Sequence, residues 1–205
     1  MKTTRTIARR IAITGVVALL SLQPLAAQKS AKEAERTQNP EDYSMLLPGE
    51  NQKLLDPFLG KWQATLRTWG HGTPPPEISL KQTMDSKWVL NGNFLQTDFT
   101  TQFAGSEHVF QGIIYRGYNP ADKHHVAILL SNGDARETVS TGSWDAAAKT
   151  FTFQGTEKDP HLGDAFVRKE IFRFETPDQY FYQLFYVFKD GSEIKAAEGT
   201  FKRVK

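Results

Sequence analysis

Residues 54–69, LLDPFLGKWQATLRTW, decide how the rest of the chain is read. After Gly60, Trp62, Ala64 and Leu66 fall on one side of an extended chain, and Lys61, Gln63, Thr65 and Arg67 fall on the other. A period of two is the mark of a strand with one buried and one solvated face. Just upstream, the stretch ENQKLLDPF suits a short helical turn that sends Leu54, Leu55 and Phe58 to one apolar surface. What matters is whether the later strands close around Trp62 or leave it as one more core aromatic.

Downstream of Phe58 the chain reads as strands and turns. Strands are expected near 60–69, 77–90, 93–103, 107–118, 123–131, 136–144, 149–157, 164–175, 179–189 and 193–203. Between them stand NGN at 91, NPADK at 119, NGDA at 132, DAAAK at 145, TPDQ at 176 and KDGS at 189, all turn formers. Links this short pair neighbours antiparallel. Ten strands in a simple meander, with no long helix to cover a sheet, favour an all-β, up-and-down antiparallel barrel. The segment QYFYQLFYVF, 179–188, is apolar on both parities, so one face belongs inside and the other needs a cover, for which an N-terminal helix is the expected element.

Upstream of the barrel the chain changes character. Residues 1–27 run from basic MKTTRTIARR through apolar IAITGVVALLSL to QPLAA, the order of a secretory signal peptide cleaved after Ala27. Its twelve apolar residues fall short of the roughly 20 that span a bilayer. Residues 28–53 read as a flexible leader with a short helix, in which Asn39 caps, Pro40 opens and Pro48-Gly49 stops the helix. Residues 54–205 form the barrel domain. Absence of cysteine rules out a disulfide framework, a thiolate metal site, a cysteine nucleophile and a lipoprotein anchor. The expected location is therefore the periplasm or the medium, with no membrane attachment after cleavage.

The signal peptide carries Lys2, Arg5, Arg9 and Arg10 and no acid, so removing it from 25 basic and 23 acidic residues leaves 21 and 23. A nearly neutral domain has no electrostatic footprint for nucleic acid. Metal chemistry is equally poorly served. His124 and His125 are adjacent in a strand and point to opposite faces, while His71 and His161, the latter near Asp159 and Asp164, have no ligand spacing. No nucleophile elbow or phosphate loop is present, no cofactor is called for, and no residue is assigned a catalytic role.

What remains is polar residues on apolar strand parities. Asp98 and Gln96 share a parity with Phe94, Arg116 shares one with Phe110, Ile114 and Tyr118, and Gln183 stands between Phe181 and Phe185. Glu198 lies in the last strand and Arg168 on the parity of Phe166, Glu170 and Phe172. A few inward polar groups among aromatics are how a barrel orients a small ligand. The alternative is that Arg116, Glu170 and Glu198 are paired buried charges or outward residues.

Four stretches, LLDPFLGKW, WVLNGNFLQTDF, FQGIIYRGYNPADKHH and EGTFKRV, give the chain from Leu54 to Arg203 a family likeness. It resembles the exported bacterial domain-of-unknown-function family 1579, a lipocalin-like, calycin-type group. The resemblance implies a fold more than an activity. In lipocalin-like barrels a Gly-x-Trp tryptophan packs across the closed end near a basic residue of the last strand. The resemblance assigns those places to Gly60, Trp62 and Arg203, with a cation–π contact of about 0.5–2 kcal/mol.

The reading that follows is an exported barrel that binds a small, largely apolar molecule. Its expected lining is Phe94, Asp98, Phe110, Ile114, Arg116, Tyr182, Tyr186 and Glu198. Two alternatives stand beside it. One is an enzyme using Glu170, Glu198 or Asp98 as acid or base, and the other is a filled-core interaction protein.

Overall fold

The computed structural model describes residues 47–69, 77–133, 137–158 and 165–205. The signal peptide and the Asn39 helix lie outside these residues, as do His71, Asp159, His161 and Asp164. A single helical turn, α1 (Glu50–Lys53), and a 3-10 turn (Asp56–Phe58) lead into ten strands. They are β1 (Gly60–Trp69), β2 (Glu77–Val89), β3 (Phe94–Phe103), β4 (Val109–Asn119) and β5 (His124–Ser131), then β6 (Thr138–Asp145), β7 (Thr150–Glu157), β8 (Phe166–Thr176), β9 (Gln179–Val187) and β10 (Glu193–Arg203). Each strand pairs antiparallel with its sequence neighbours, and β10 returns to β1 to close the barrel. The ten expected strands are the ten observed.

Local chemistry sets the turns. Asn119 Oδ1 accepts from the amides of Ala121 and Asp122, Asp145 Oδ1 from those of Ala147 and Ala148, and Asp190 Oδ1 from that of Ser192. These Asx-type contacts satisfy backbone donors within the turn and fix where each strand reverses.

The barrel is filled at one end. There, where β1 begins and β10 finishes, α1 and the 3-10 turn insert Leu55 and Phe58, both essentially inaccessible. Four strands hold this plug. Trp62 Nε1 (β1) donates to the carbonyls of Phe58 at 2.9 Å and Leu59 at 3.1 Å. Trp88 Nε1 (β2) donates to Asp56 Oδ1 at 2.9 Å, and His125 Nε2 (β5) to the Asn51 carbonyl at 2.9 Å. Arg203 (β10) donates to the carbonyls of Leu59 and Pro57. Above the plug, Phe151, Phe153, Phe172, Tyr180 and Phe201 are buried and in ring-to-ring contact.

Trp62 and Arg203 face each other in the β1–β10 register, with the guanidinium carbon 4.2 Å from the indole centroid. Arg203 also reaches the Pro177 carbonyl and pairs with Asp178 at 3.0 Å, tying the β8–β9 turn to the same point. Gly60 sits at φ +85°, and a Cβ there would stand 3.0 Å from Arg203 Nη1. The left-handed backbone conformation favours glycine, and a Cβ would also require the Arg203 guanidinium to shift.

The N-terminal helix expected to cover β9 lies outside the described residues, and within them the outer face of β9 is partly covered by neighbouring side chains. The outer Phe181 and Phe185 of β9 lie beneath cations from β8, Arg173 over Phe181 at 5.2 Å and Lys169 over Phe185 at 4.8 Å. The described helical turn closes the barrel end. Long cationic side chains cover apolar area with their stems while their heads remain in water.

Candidate functional site

Strand parity selects the interior. On β4, Phe110, Ile114 and Arg116 point inward, and on β8 and β9 so do Arg168, Glu170, Phe172, Tyr182 and Tyr186. Beyond the aromatic plug they enclose a cavity of about 390 Å³. Met84, Phe99, Phe103 and Leu129 complete its apolar wall. That volume lies near the lower end of the ~300–1,000 Å³ usual for small-molecule sites. An adjoining space of about 410 Å³ shares Phe110, Leu129, Ser131 and Arg168 with it. A groove of about 670 Å³ beside Gln63, Thr65, Lys81, Thr83 and Lys202 is formed mostly by exposed strand side chains of the outer face.

Of the expected lining, the structure brings together Phe110, Ile114, Arg116, Tyr182 and Tyr186. Three residues are corrected. Phe94 and Asp98 lie on the outer face of β3, because Leu95, Thr97 and Phe99 take the inner parity. Phe94 packs over Gly117, where a Cβ would meet its ring at 2.9 Å, and Asp98 accepts from Gln96 at 3.1 Å. Glu198 is outward too. It faces Arg67 across the β1–β10 pair, forms an ion pair with it, and receives Lys195 Nζ at 2.9 Å and Gln183 Nε2 at 3.4 Å. The Lys195 hydrogen bond, with those of Gln183 and Arg67, holds the Glu198 carboxyl below the usual carboxylate range. Asp98 and Glu198 therefore cannot serve a substrate inside the barrel.

The inward charges divide unequally. Glu170 Oε1 accepts from Arg168 Nη2 at 2.8 Å and from Tyr182 Oη at 2.9 Å, and Glu157 lies 3.7 Å from Arg168. Burial alone would lower the Arg168 guanidinium, but Glu170, Tyr182 and Glu157 raise it. Burial, reinforced by Glu170, pushes the Tyr182 phenol well above its ordinary value, so it stays protonated as a donor. Arg116 has no carboxylate in salt-bridge reach among the described residues. It is 2% exposed and stacks over Phe58 at 4.8 Å and Phe172 at 5.3 Å, with one hydrogen bond, Nη1 to Thr97 Oγ1 at 3.3 Å.

Arg168 was visible on the apolar parity of β8, and Glu170 two residues on carried the same signal. Met84, Phe99, Phe103 and Leu129 are ordinary core types, and nothing in the sequence marks them as lining rather than filling. His124 and His125 point to opposite faces, and burial lowers the His125 imidazole below its usual range. Among the described residues no group of three His, Cys, Asp or Glu could hold a metal ion, and no helix is long and apolar enough to cross a membrane.

The comparisons with known proteins agree with this architecture. Residues 47–203 match the model of a family described as "Protein of unknown function (DUF1579)". No curated protein matches the sequence. Among solved structures, the S-type phycobiliprotein lyase CPES from Guillardia theta is 14% identical, with a TM-score of 0.55, over 76% of this chain and 93% of that one. Rv2717c from M. tuberculosis is 13% identical, with a TM-score of 0.56, over 77% of this chain and 99% of that one. At such identities the likeness is one of fold.

Proposed function

We propose that this chain, which belongs to the DUF1579 family, is a binding protein that holds a small, largely apolar molecule in the unfilled half of its barrel. The observation that carries the reading is the uneven filling of the interior. Near the plug, Phe151, Phe153, Tyr180 and Phe201 are fully buried and packed ring to ring, whereas past Arg116 the same barrel holds about 390 Å³ lined mostly by aromatic and aliphatic side chains. A protein selected for stability alone would fill that space, since each void forfeits packing contacts. A few polar groups at one side of an otherwise apolar wall orient a ligand without making the site wet.

The test is uptake of Nile red, a neutral apolar dye. It should bind the folded protein near one to one with a blue-shifted emission. Ligands that displace it should raise the melting temperature by about 5–10 °C at a hundredfold excess over Kd, since that excess adds about 2.7 kcal/mol. A folded protein that takes up no dye and shows no shift with a panel of apolar compounds has a filled interior, and the interaction-protein reading would replace this one.

Export belongs to the same proposal, motivated by the basic, apolar, small-residue order of residues 1–27. Expressed with its leader in a bacterial host, the protein should be recovered from the periplasm or medium with the intact mass of a chain beginning near Gln28. A full-length, membrane-bound species would contradict it.

A further inference from the structure

We infer that the molecule held in the barrel carries a carboxylate, and that Arg116 receives it at the floor of the cavity. The inference rests on the binding reading above and adds the chemistry of the ligand. Its basis is an imbalance among the inward charges. The cavity lining contains two guanidiniums and one carboxylate, and Glu170 is spent on Arg168 and Tyr182. The second carboxylate nearby, Glu157, also faces Arg168. Arg116 is buried to the level of the core, yet its side-chain contacts are three aromatic rings and one long hydrogen bond to Thr97.

A buried guanidinium is normally paired, because removing it from water costs several kcal/mol that only an anion and hydrogen bonds return. Here Nη1 is committed to Thr97, while the edge formed by Nε and Nη2 has no acceptor among the described residues, and Nε is wholly buried. Arg168 Nε, in the same lining, likewise has none. Burial pushes the Arg116 guanidinium down and the Glu170 field offsets this only in part, so the site favours an added negative charge. Nε is shut off from the cavity, so an anion would meet the part of the guanidinium that lines it, where a carboxylate oxygen is a matched, charge-assisted acceptor. Phe58 and Phe172 hold the guanidinium plane from the plug side, which fixes it in advance of binding. The remaining wall of Met84, Phe99, Phe103, Ile114 and Leu129 suits an aliphatic or aromatic body, so the class is a monocarboxylate with an apolar tail short enough for the cavity.

The experiment compares decanoate with decanol, which share a chain and differ in the head group. Both would be titrated against Nile red bound to the wild-type protein and to Arg116→Met. Decanoate should displace the dye from the wild type at about tenfold or more lower concentration than decanol, as a charge-assisted hydrogen bond implies. Arg116→Met should erase that advantage and leave decanol within about twofold, for methionine removes the charged guanidinium and keeps an unbranched apolar stem in its place. Equal displacement by the two compounds from the wild type overturns the inference while leaving a binding barrel, and it needs no variant to fold. Equal weakening of both by Arg116→Met overturns it as well. If neither displaces the dye and the dye itself does not bind, the underlying binding reading fails with it.

Discussion

Replacing Trp62 with alanine will destabilise the barrel by about 3–5 kcal/mol, the range for deleting a large buried aromatic. Trp62 is 1% exposed, packs 4.8 Å from the Tyr180 ring, and anchors the plug through the Phe58 and Leu59 carbonyls. Its loss leaves a cavity, two weakened acceptors and a guanidinium without its aromatic face. Arg203→Ala should cost less, because Arg203 is partly solvated and its bonds to Pro177 and Asp178 are exposed. The double variant should cost less than the sum of the two, since the groups touch at 4.2 Å. Urea unfolding of the four proteins measures all three values. A loss under about 0.5 kcal/mol for Trp62→Ala would mean that the indole is not at the closed end of the barrel.

Phe58→Ala should destabilise by a similar amount, about 3–5 kcal/mol, although Phe58 lies outside every strand. Its ring meets those of Phe172, Phe174 and Tyr180 edge-on at 5.2, 4.9 and 5.8 Å, and that of Phe151 at 5.6 Å. It also lies under the Arg116 guanidinium. Phe58→Leu keeps most of the volume and loses the edge-to-face contacts, worth about 0.5–1.5 kcal/mol per pair, so it should fall between wild type and alanine. If Phe58→Ala costs less than about 1 kcal/mol in the same urea titration, the plug does not fill the barrel end in solution.

Much of this fold could be read from residue order alone, for physical reasons that differ by position. The turns were legible because Asn119, Asp145 and Asp190 carry their own hydrogen-bond chemistry to the backbone two and three residues on. β1 was legible because its alternation is clean. The site was legible only where alternation held. On β3, Phe94 on one parity competes with Leu95, Phe99 and Phe103 on the other, and the niche over Gly117 that accepts Phe94 belongs to a different strand. On β10, Ala196, Ala197 and Gly199 carry little hydrophobic signal, and a register shift between Lys195 and Ala197 interrupts the count. The outward turn of Glu198 is fixed by Arg67, which lies 131 residues away in sequence. Nor could composition show which buried arginine had a partner. Arg116 and Arg168 both sit on apolar parities, and Arg168 finds Glu170 two residues on along its own strand, but only the fold shows that no carboxylate comes within salt-bridge reach of Arg116 among the described residues.

The central claim is that a small apolar molecule occupies the barrel beyond Arg116. Methyl NMR during a Nile red titration tests it most directly. The methyl signals of Met84, Ile114 and Leu129, which line the cavity, should shift by ring current and saturate at one equivalent. Those of Val139, Ile194 and Val204, exposed on the outside, should stay in place. Shifts confined to the exposed methyls, or no shift at any dye concentration, would contradict the claim.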